Sequence, residues 1–151
     1  MADDLKTFFE EQLIPERHAD EYTRALGIQC ATGVLLIQVA KADSQQDDIE
    51  RAMVVAILQE TFDLLDETVE DILQLADGAT AKDVSQLIKL VNDHYGYNDK
   101  EKLIEYLWMV AFADGRLDRY EEQFIVKVAE LLNISETDFN HAKVRAEENT
   151  L

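Results

Sequence analysis

Three acids fall within eight residues of the segment MVAFADGRLDRYEEQF, residues 109–124: Asp114, Asp118 and Glu121. They stand where an apolar run gives way to a polar one, and carboxylates at that spacing can do two kinds of work. They can supply hard oxygen ligands to Ca²⁺ or Mg²⁺, in a site completed by backbone carbonyls and water. They can also stop one helix and start the next. Gly115 can take the left-handed conformation that closes a helix. Asp118 can accept a hydrogen bond from the backbone N–H of Glu121, whose own side chain can reach back to the amide of Asp118. Capping therefore accounts for Gly115, Asp118 and Glu121, but not for Asp114. A negative charge in the last turn faces the negative end of the helix macrodipole, at a cost of about 0.3–1 kcal/mol.

The same arrangement occurs a second time. LLIQVAKADSQQDDIERAMVVAIL aligns without gaps on YLWMVAFADGRLDRYEEQFIVKVA at one constant offset. Asp43 then matches Asp114, Asp47 matches Asp118 and Glu50 matches Glu121, while Val39 matches Val110 and Ile57 matches Val128. A helix–acidic loop–helix unit used twice implies a pseudo-twofold arrangement, with halves of about 33–76 and 103–147. A third turn, QLADGATAKD, serves as an internal control. There Asp77-Gly78 ends a helix and Thr80 with Asp83 starts one, with a threonine in place of Asp47 or Asp118. Capping is thus managed with fewer carboxylates than the repeated loops carry. Neither loop is an EF-hand: from Asp114 the sixth and twelfth positions are Arg119 and Ile125, and from Asp43 they are Asp48 and Val54, where Gly and Glu are required.

The elements that must position these acids read as helices throughout. Residues 3–13 form a first helix with Leu5, Phe8, Phe9 and Leu13 on one side, ended near Pro15, and a long helical stretch runs from about Glu16 to Ala42 with bends at Gly27 and Gly33. Later starts carry a cap residue followed three positions on by an acid: Asp47 with Glu50, Thr80 with Asp83, Asn98 with Glu101, Asp118 with Glu121 and Ser135 with Asp138, with a weaker start at Asp66. No segment alternates with period two and no Asn-Gly hairpin dipeptide occurs. The expectation is an all-α single domain over residues 1–151 with seven or eight helices, of which 1–24 are an N-terminal helical extension. Two segments, GVLLIQVAKA (33–42) and LIEYLWMVAFA (103–113), are apolar on nearly every side, as helices enclosed by others must be. Trp108 and Tyr106 read as packing residues.

Composition narrows the function. A chain of 151 residues, 47% hydrophobic, can bury about 70% of its unfolded surface without staples. Its 32 acids against 14 Lys plus Arg give a formal net charge of −18, a field that repels nucleic acid and anionic lipid and attracts cations and basic protein surfaces. Cys30, the one cysteine, excludes an internal disulfide and a cysteine-based zinc site, and its apolar neighbours make it a buried, inert thiol. The longest uncharged stretch, Ala25–Ala40, falls short of the roughly 20 apolar residues of a membrane span. MADDLKTFFEEQ lacks the basic region and cleavage site of a signal peptide, so a cytoplasmic location is expected. His18, His94 and His141 lie apart on polar stretches, and no phosphate loop, nucleophile elbow or HExxH motif is present. HYGYNDKE (94–101) reads as a packed turn between helices. No enzyme is expected.

LWMVAFADGRLDRYEEQFIVKVAELLNIS resembles the signature of the tellurite-resistance TerB-like family, and VLLIQVAKADSQQDDIERAMVVAILQETFDL resembles the family's N-terminal half. The resemblance spans about residues 25–147. It implies a compact all-helical domain with two pseudo-symmetric acidic segments that chelate metal. By position it implicates Asp43, Asp47 and Glu50 in the first segment and Asp114, Asp118 and Glu121 in the second, with no organic cofactor. The family's usual Asp-Gly is Asp43-Ser44 here, a departure that Asp48, opposite Arg119, could offset. The expected role is that of a non-enzymatic, cation-binding, stress-response or interaction module. The alternative is a metal-free module that recruits basic partners through its acidic surface.

Overall fold

The computed structural model describes residues 21–42, 48–113, 115 and 118–150. Among the described residues the chain forms seven α-helices and no strand: α1 (Glu21–Ala42), α2 (Asp48–Ala56), α3 (Asp66–Asp77), α4 (Ala81–His94), α5 (Tyr97–Ala111), α6 (Arg119–Leu131) and α7 (Glu136–Thr150). The all-α expectation holds. The helix expected over 3–13 and the residues between Glu16 and Glu21 lie outside the described residues.

The two apolar segments become the centre of the domain. Val34, Leu35, Leu36, Ile37 and Val39 of α1 are wholly buried, as are Ile104, Leu107, Val110 and Ala111 of α5. The two helices pack on each other. Around them, α1 meets α2, α3, α4 and α6, while α5 meets α2, α6 and α7. The outer helices bury one stripe each. In α4 the buried residues Val84, Leu87, Ile88 and Val91 follow the i, i+3, i+4, i+7 spacing of a single helix face. In α7 the buried positions are Ala142 and Ala146, whose small side chains let the helix lie close against α5.

Gly33 does not divide α1, which runs through it as one helix. Its role is close packing. A Cβ at this position would stand 2.9 Å from both Ile72 Cγ2 of α3 and Leu58 Cδ2, so any larger residue would push these neighbours apart. Leu58 belongs to a π-helical turn, Ile57–Thr61, that continues α2 and closes with the Phe62 N–H donating to the Ile57 carbonyl at 3.0 Å. Both Ile57 and Leu58 are buried there.

Trp108 is 1% exposed and is a packing residue as expected. Its ring stacks on Phe112 at 5.6 Å, takes Phe139 of α7 edge-on at 5.4 Å, and has the Lys143 Nζ 5.0 Å from its centroid. Tyr106 meets Phe62 edge-on at 5.0 Å. Cys30 is buried, and burial pushes its thiol up to about 12, which keeps it protonated and unreactive. No helix among the described residues is long and apolar enough to cross a membrane.

Helix starts divide into those that follow the cap pattern and those that do not. Thr80 and Asp83 form a full capping box: the Asp83 N–H donates to Thr80 Oγ1 at 3.1 Å and the Thr80 N–H to Asp83 Oδ2 at 3.0 Å. At α7 a third residue joins. Asp138 donates its N–H to Ser135 Oγ at 3.1 Å, while the Ser135 N–H donates to the Tyr97 hydroxyl at 3.0 Å, which itself donates to Asp138 Oδ2 at 2.7 Å. These bonds hold the Asp138 carboxyl below its ordinary range. The turn around 94–101 is thus a packed one, with Tyr95 buried and Tyr97 tied to α7. One expected start is corrected. Gly96 rather than Asn98 precedes the first residue of α5, so the helix is already under way at Asn98. At α3 the helix begins at Asp66 as expected, with Leu65 in the cap position making no side-chain bond and Asp66 accepting from Gln59 Nε2 at 3.1 Å.

Candidate metal centre

Of the six candidate ligands, Glu50, Asp118 and Glu121 are described; Asp43, Asp47 and Asp114 lie outside the described residues. Asp118 caps α6, its Oδ1 accepting from the N–H groups of Tyr120 at 2.8 Å and Glu121 at 3.3 Å. Gly115 has a φ of 80°, the left-handed conformation expected of the residue that closes a helix, and its N–H donates to the Phe112 carbonyl at 3.0 Å. The parts of the capping reading assigned to Asp118 and Gly115 are therefore in place. Asp118→Ala should lower stability by about 1 kcal/mol in chelator, read from denaturant unfolding, because two N–H groups lose their acceptor. An unchanged midpoint would remove Asp118 from the cap.

Glu121 does something a cap residue need not do. It is 1% exposed. Glu50, its counterpart in the first segment, is 0% exposed. Each is the third residue of its helix, α2 or α6. Asp83 holds the same position in α4 and stays partly exposed inside its capping box. Sequence spacing places all three acids alike, yet Asp83 stays partly exposed while Glu50 and Glu121 are buried. Aligned apolar positions of the two segments also agree in burial: Val39 with Val110, Val54 with Ile125 and Ile57 with Val128 are at most 2% exposed. The two segments part at Ile57, where the first turns π-helical and the second stays α-helical to Leu131.

The control turn shows how this chain deals with an acid in the last turn of a helix. Asp77, the final residue of α3, is gripped by Arg51 of α2 through two hydrogen bonds of 3.0 and 3.2 Å. From the end of α1, Lys41 Nζ donates to the Asp77 carbonyl at 3.1 Å and Gln38 Nε2 to the Ala76 carbonyl at 2.8 Å. Both the side-chain charge and the negative helix end are met by cationic or donor groups. The bond to Asp77 also raises the Arg51 guanidinium above its ordinary range and keeps it protonated.

Among the described residues no group of three or more His, Cys, Asp or Glu side chains is arranged to hold a metal ion. Asp118 and Glu121 stand together at the start of α6, and Glu50 lies in the first turn of α2. His94 and His141 are exposed, as expected of residues on polar stretches.

Two ion pairs have no local signal. Arg51 and Asp77 are 26 residues apart, and Arg145 and Glu105 are 40 apart, with Arg145 Nε 2.6 Å from Glu105 Oε1. The one hint is Glu105 itself, a lone acid inside the apolar run LIEYLWMVAFA.

The family model for tellurite resistance protein TerB matches residues 29–144. The chain belongs to the TerB family. The match takes in all six candidate acids and both apolar central segments, and stops short of residues 1–28. No curated protein and no solved structure matches the chain. TerB membership agrees with an all-α domain and leaves the chemistry of the acidic loops to be argued from their own residues.

Proposed function

We propose that this TerB-family protein is a non-enzymatic module that binds divalent cations, Ca²⁺ or Mg²⁺, at its two acidic loops and acts through partner proteins in a stress response. The ligands assigned are Asp43, Asp47 and Glu50 in one loop and Asp114, Asp118 and Glu121 in the other. The observation that carries the reading is the burial of Glu50 and Glu121 at equivalent helix starts. A side chain enclosed by packing is held in one orientation, which fixes its oxygens in place as ligands. Each loop then adds two more acids by sequence, one of them following the apolar run of the preceding helix. A divalent ion brings positive charge to the place where negative charge accumulates, and oxygen-only ligands suit the hard cations. Its entry relieves the repulsion among the acids and stiffens the junctions between the central helices and those that follow them.

Thermal unfolding in chelator and in millimolar Ca²⁺ or Mg²⁺ tests the reading. An ion that binds only the folded state stabilises it by about 2.7 kcal/mol at a concentration 100 times its Kd. The unfolding temperature of the wild-type protein should rise with ion, and that of Glu121→Gln should rise less. Equal unfolding temperatures with and without ion would overturn it.

One observation favours a second reading. Asp77 shows that a last-turn acid in this chain can be served by a protein cation, Arg51. A basic partner surface could meet Asp43 and Asp114 in the same way, without metal. Partner affinity would then fall with added salt, and Asp114→Asn would leave the response to calcium unchanged.

A further inference from the structure

A groove of about 410 Å³ opens between α1, α4 and α6, and neither Glu50, Asp118 nor Glu121 lines it. Its lining runs from Ala81 to Ile88 on α4 and from Phe124 to Leu131 on α6, in both cases at the i, i+3, i+4, i+7 spacing of one helix face. Each wall is therefore two helical turns long, about 10 Å. Val84, Ile88 and Val128 are buried in it, while Leu131 is 44% exposed and Ser85 and Lys127 are open to water.

Its charge runs against that of the chain. The charged residues on the lining are Lys41 and Lys127, with no Asp or Glu among them, in a chain of 32 acids and 14 bases. Lys41 Nζ donates to the Asp77 carbonyl, and among the described residues no carboxylate pairs with either ammonium. Exposed Lys82 and Lys89 each follow a groove residue, Ala81 or Ile88, by one position on α4. Glu130 follows Lys127 on α6 but stays off the lining.

We propose that this groove seats an acidic amphipathic helix of a partner protein. Two helix faces side by side form a cleft into which a third helix lays its apolar stripe, with side chains at i, i+3, i+4 and i+7 as anchors. The stripe seats on Val84, Ile88, Phe124 and Leu131, and acids beside it meet Lys41 and Lys127. A small amphiphile fits the groove less well, because such ligands are buried over about 70–90% of their surface and this cleft is open along its rim. The net charge of −18 opposes an acidic partner at long range. At physiological salt, however, exposed charges more than about 8 Å apart are largely screened, so the lysines at the groove decide. The chemistry is opposite to that recruited by the acidic loops, and the proposal does not rest on cation binding there.

The test is an amide NMR titration of the full chain in chelator, so that its outcome is independent of any cation. The probes are two synthetic amphipathic helices of about four turns with the same leucine stripe, one carrying Glu and the other Lys at its polar positions. The Glu helix should shift the amides of Val84, Ile88, Phe124 and Leu131 and leave those of α7 in place, with affinity that falls as salt is added. Lys127→Glu should weaken it on the order of tenfold, and Leu131→Ser should weaken it too; both side chains are exposed, so neither change threatens the fold. The proposal is overturned if the Glu helix leaves the groove amides unmoved, if the Lys helix moves them as strongly, or if Lys127→Glu binds as tightly as the wild type. It is also overturned if sodium decanoate moves them and the Glu helix does not, since the occupant is then a small amphiphile. Shifts of the same amides with protein concentration alone would overturn it in favour of a second copy of the chain.

Discussion

Trp108→Ala is expected to lower unfolding free energy by about 3–5 kcal/mol, among the largest single-substitution effects this core allows. The side chain is fully enclosed, and its loss empties the space between α5 and α7. Phe112 would lose its stacked partner, Phe139 its edge-on one, and the Lys143 ammonium its ring face. Aromatic pairs contribute about 0.5–1.5 kcal/mol beyond area burial, so collapse of the neighbours cannot recover the whole loss. Denaturant unfolding with an unchanged slope and a strongly lowered midpoint is the expected record. A loss below about 1 kcal/mol would mean that Trp108 is not enclosed in solution, since that is the range of ordinary surface substitutions.

The second large effect concerns Glu105 and Arg145, and it is asymmetric. The Glu105 side chain is 6% exposed while that of Arg145 is 45% exposed. Arg145→Ala leaves a buried carboxylate whose nearest remaining cation is Lys102 Nζ at 3.9 Å. Removing one partner of a fully buried pair costs about 3–5 kcal/mol. The half-exposed arginine and the residual lysine reduce that to about 2 kcal/mol here. Glu105→Met should cost much less, because the arginine it frees already reaches water and a thioether fills the apolar site. The diagnostic result is the order of the two variants. If Glu105→Met proved the more damaging, the carboxylate would be an anchor rather than a tolerated buried charge.

How far these features are legible in the sequence depends on whether their cause is local. The segments 33–42 and 103–113 announce themselves as central helices because apolar residues point every way, and that requires surroundings on every side. Thr80–Asp83 is legible because a capping box is complete within one helical turn. Asn98 misleads for the opposite reason. The same pattern recurs by chance inside a helix, and Gly96 occupies the cap position. Gly33 reads as a bend in the sequence, but its cause lies in Ile72 of α3 and Leu58 of the π-helical turn, which press on it from distant parts of the chain. The ion pairs of Glu105 and Asp77 likewise join residues that no window brings together.

The candidate site is legible in part. Spacing and the constant offset between the two segments single out Glu50 and Glu121, and capping logic gives Asp118 and Gly115 their local roles. That both glutamates are buried is not readable, because burial depends on which helices cover each turn. The family match spans these positions and does not decide between an ion and a basic partner as the source of positive charge at the loops.

Equilibrium dialysis against calcium, on protein stripped with chelator, addresses that choice most directly. Wild-type protein should retain calcium above the dialysis buffer. A variant with Asp43, Asp47, Asp114 and Asp118 changed to Asn should lose that calcium while keeping its helical circular dichroism. If the wild-type protein holds no calcium and no magnesium, or if the four-Asn variant holds as much as the wild type, the acidic loops are not cation sites.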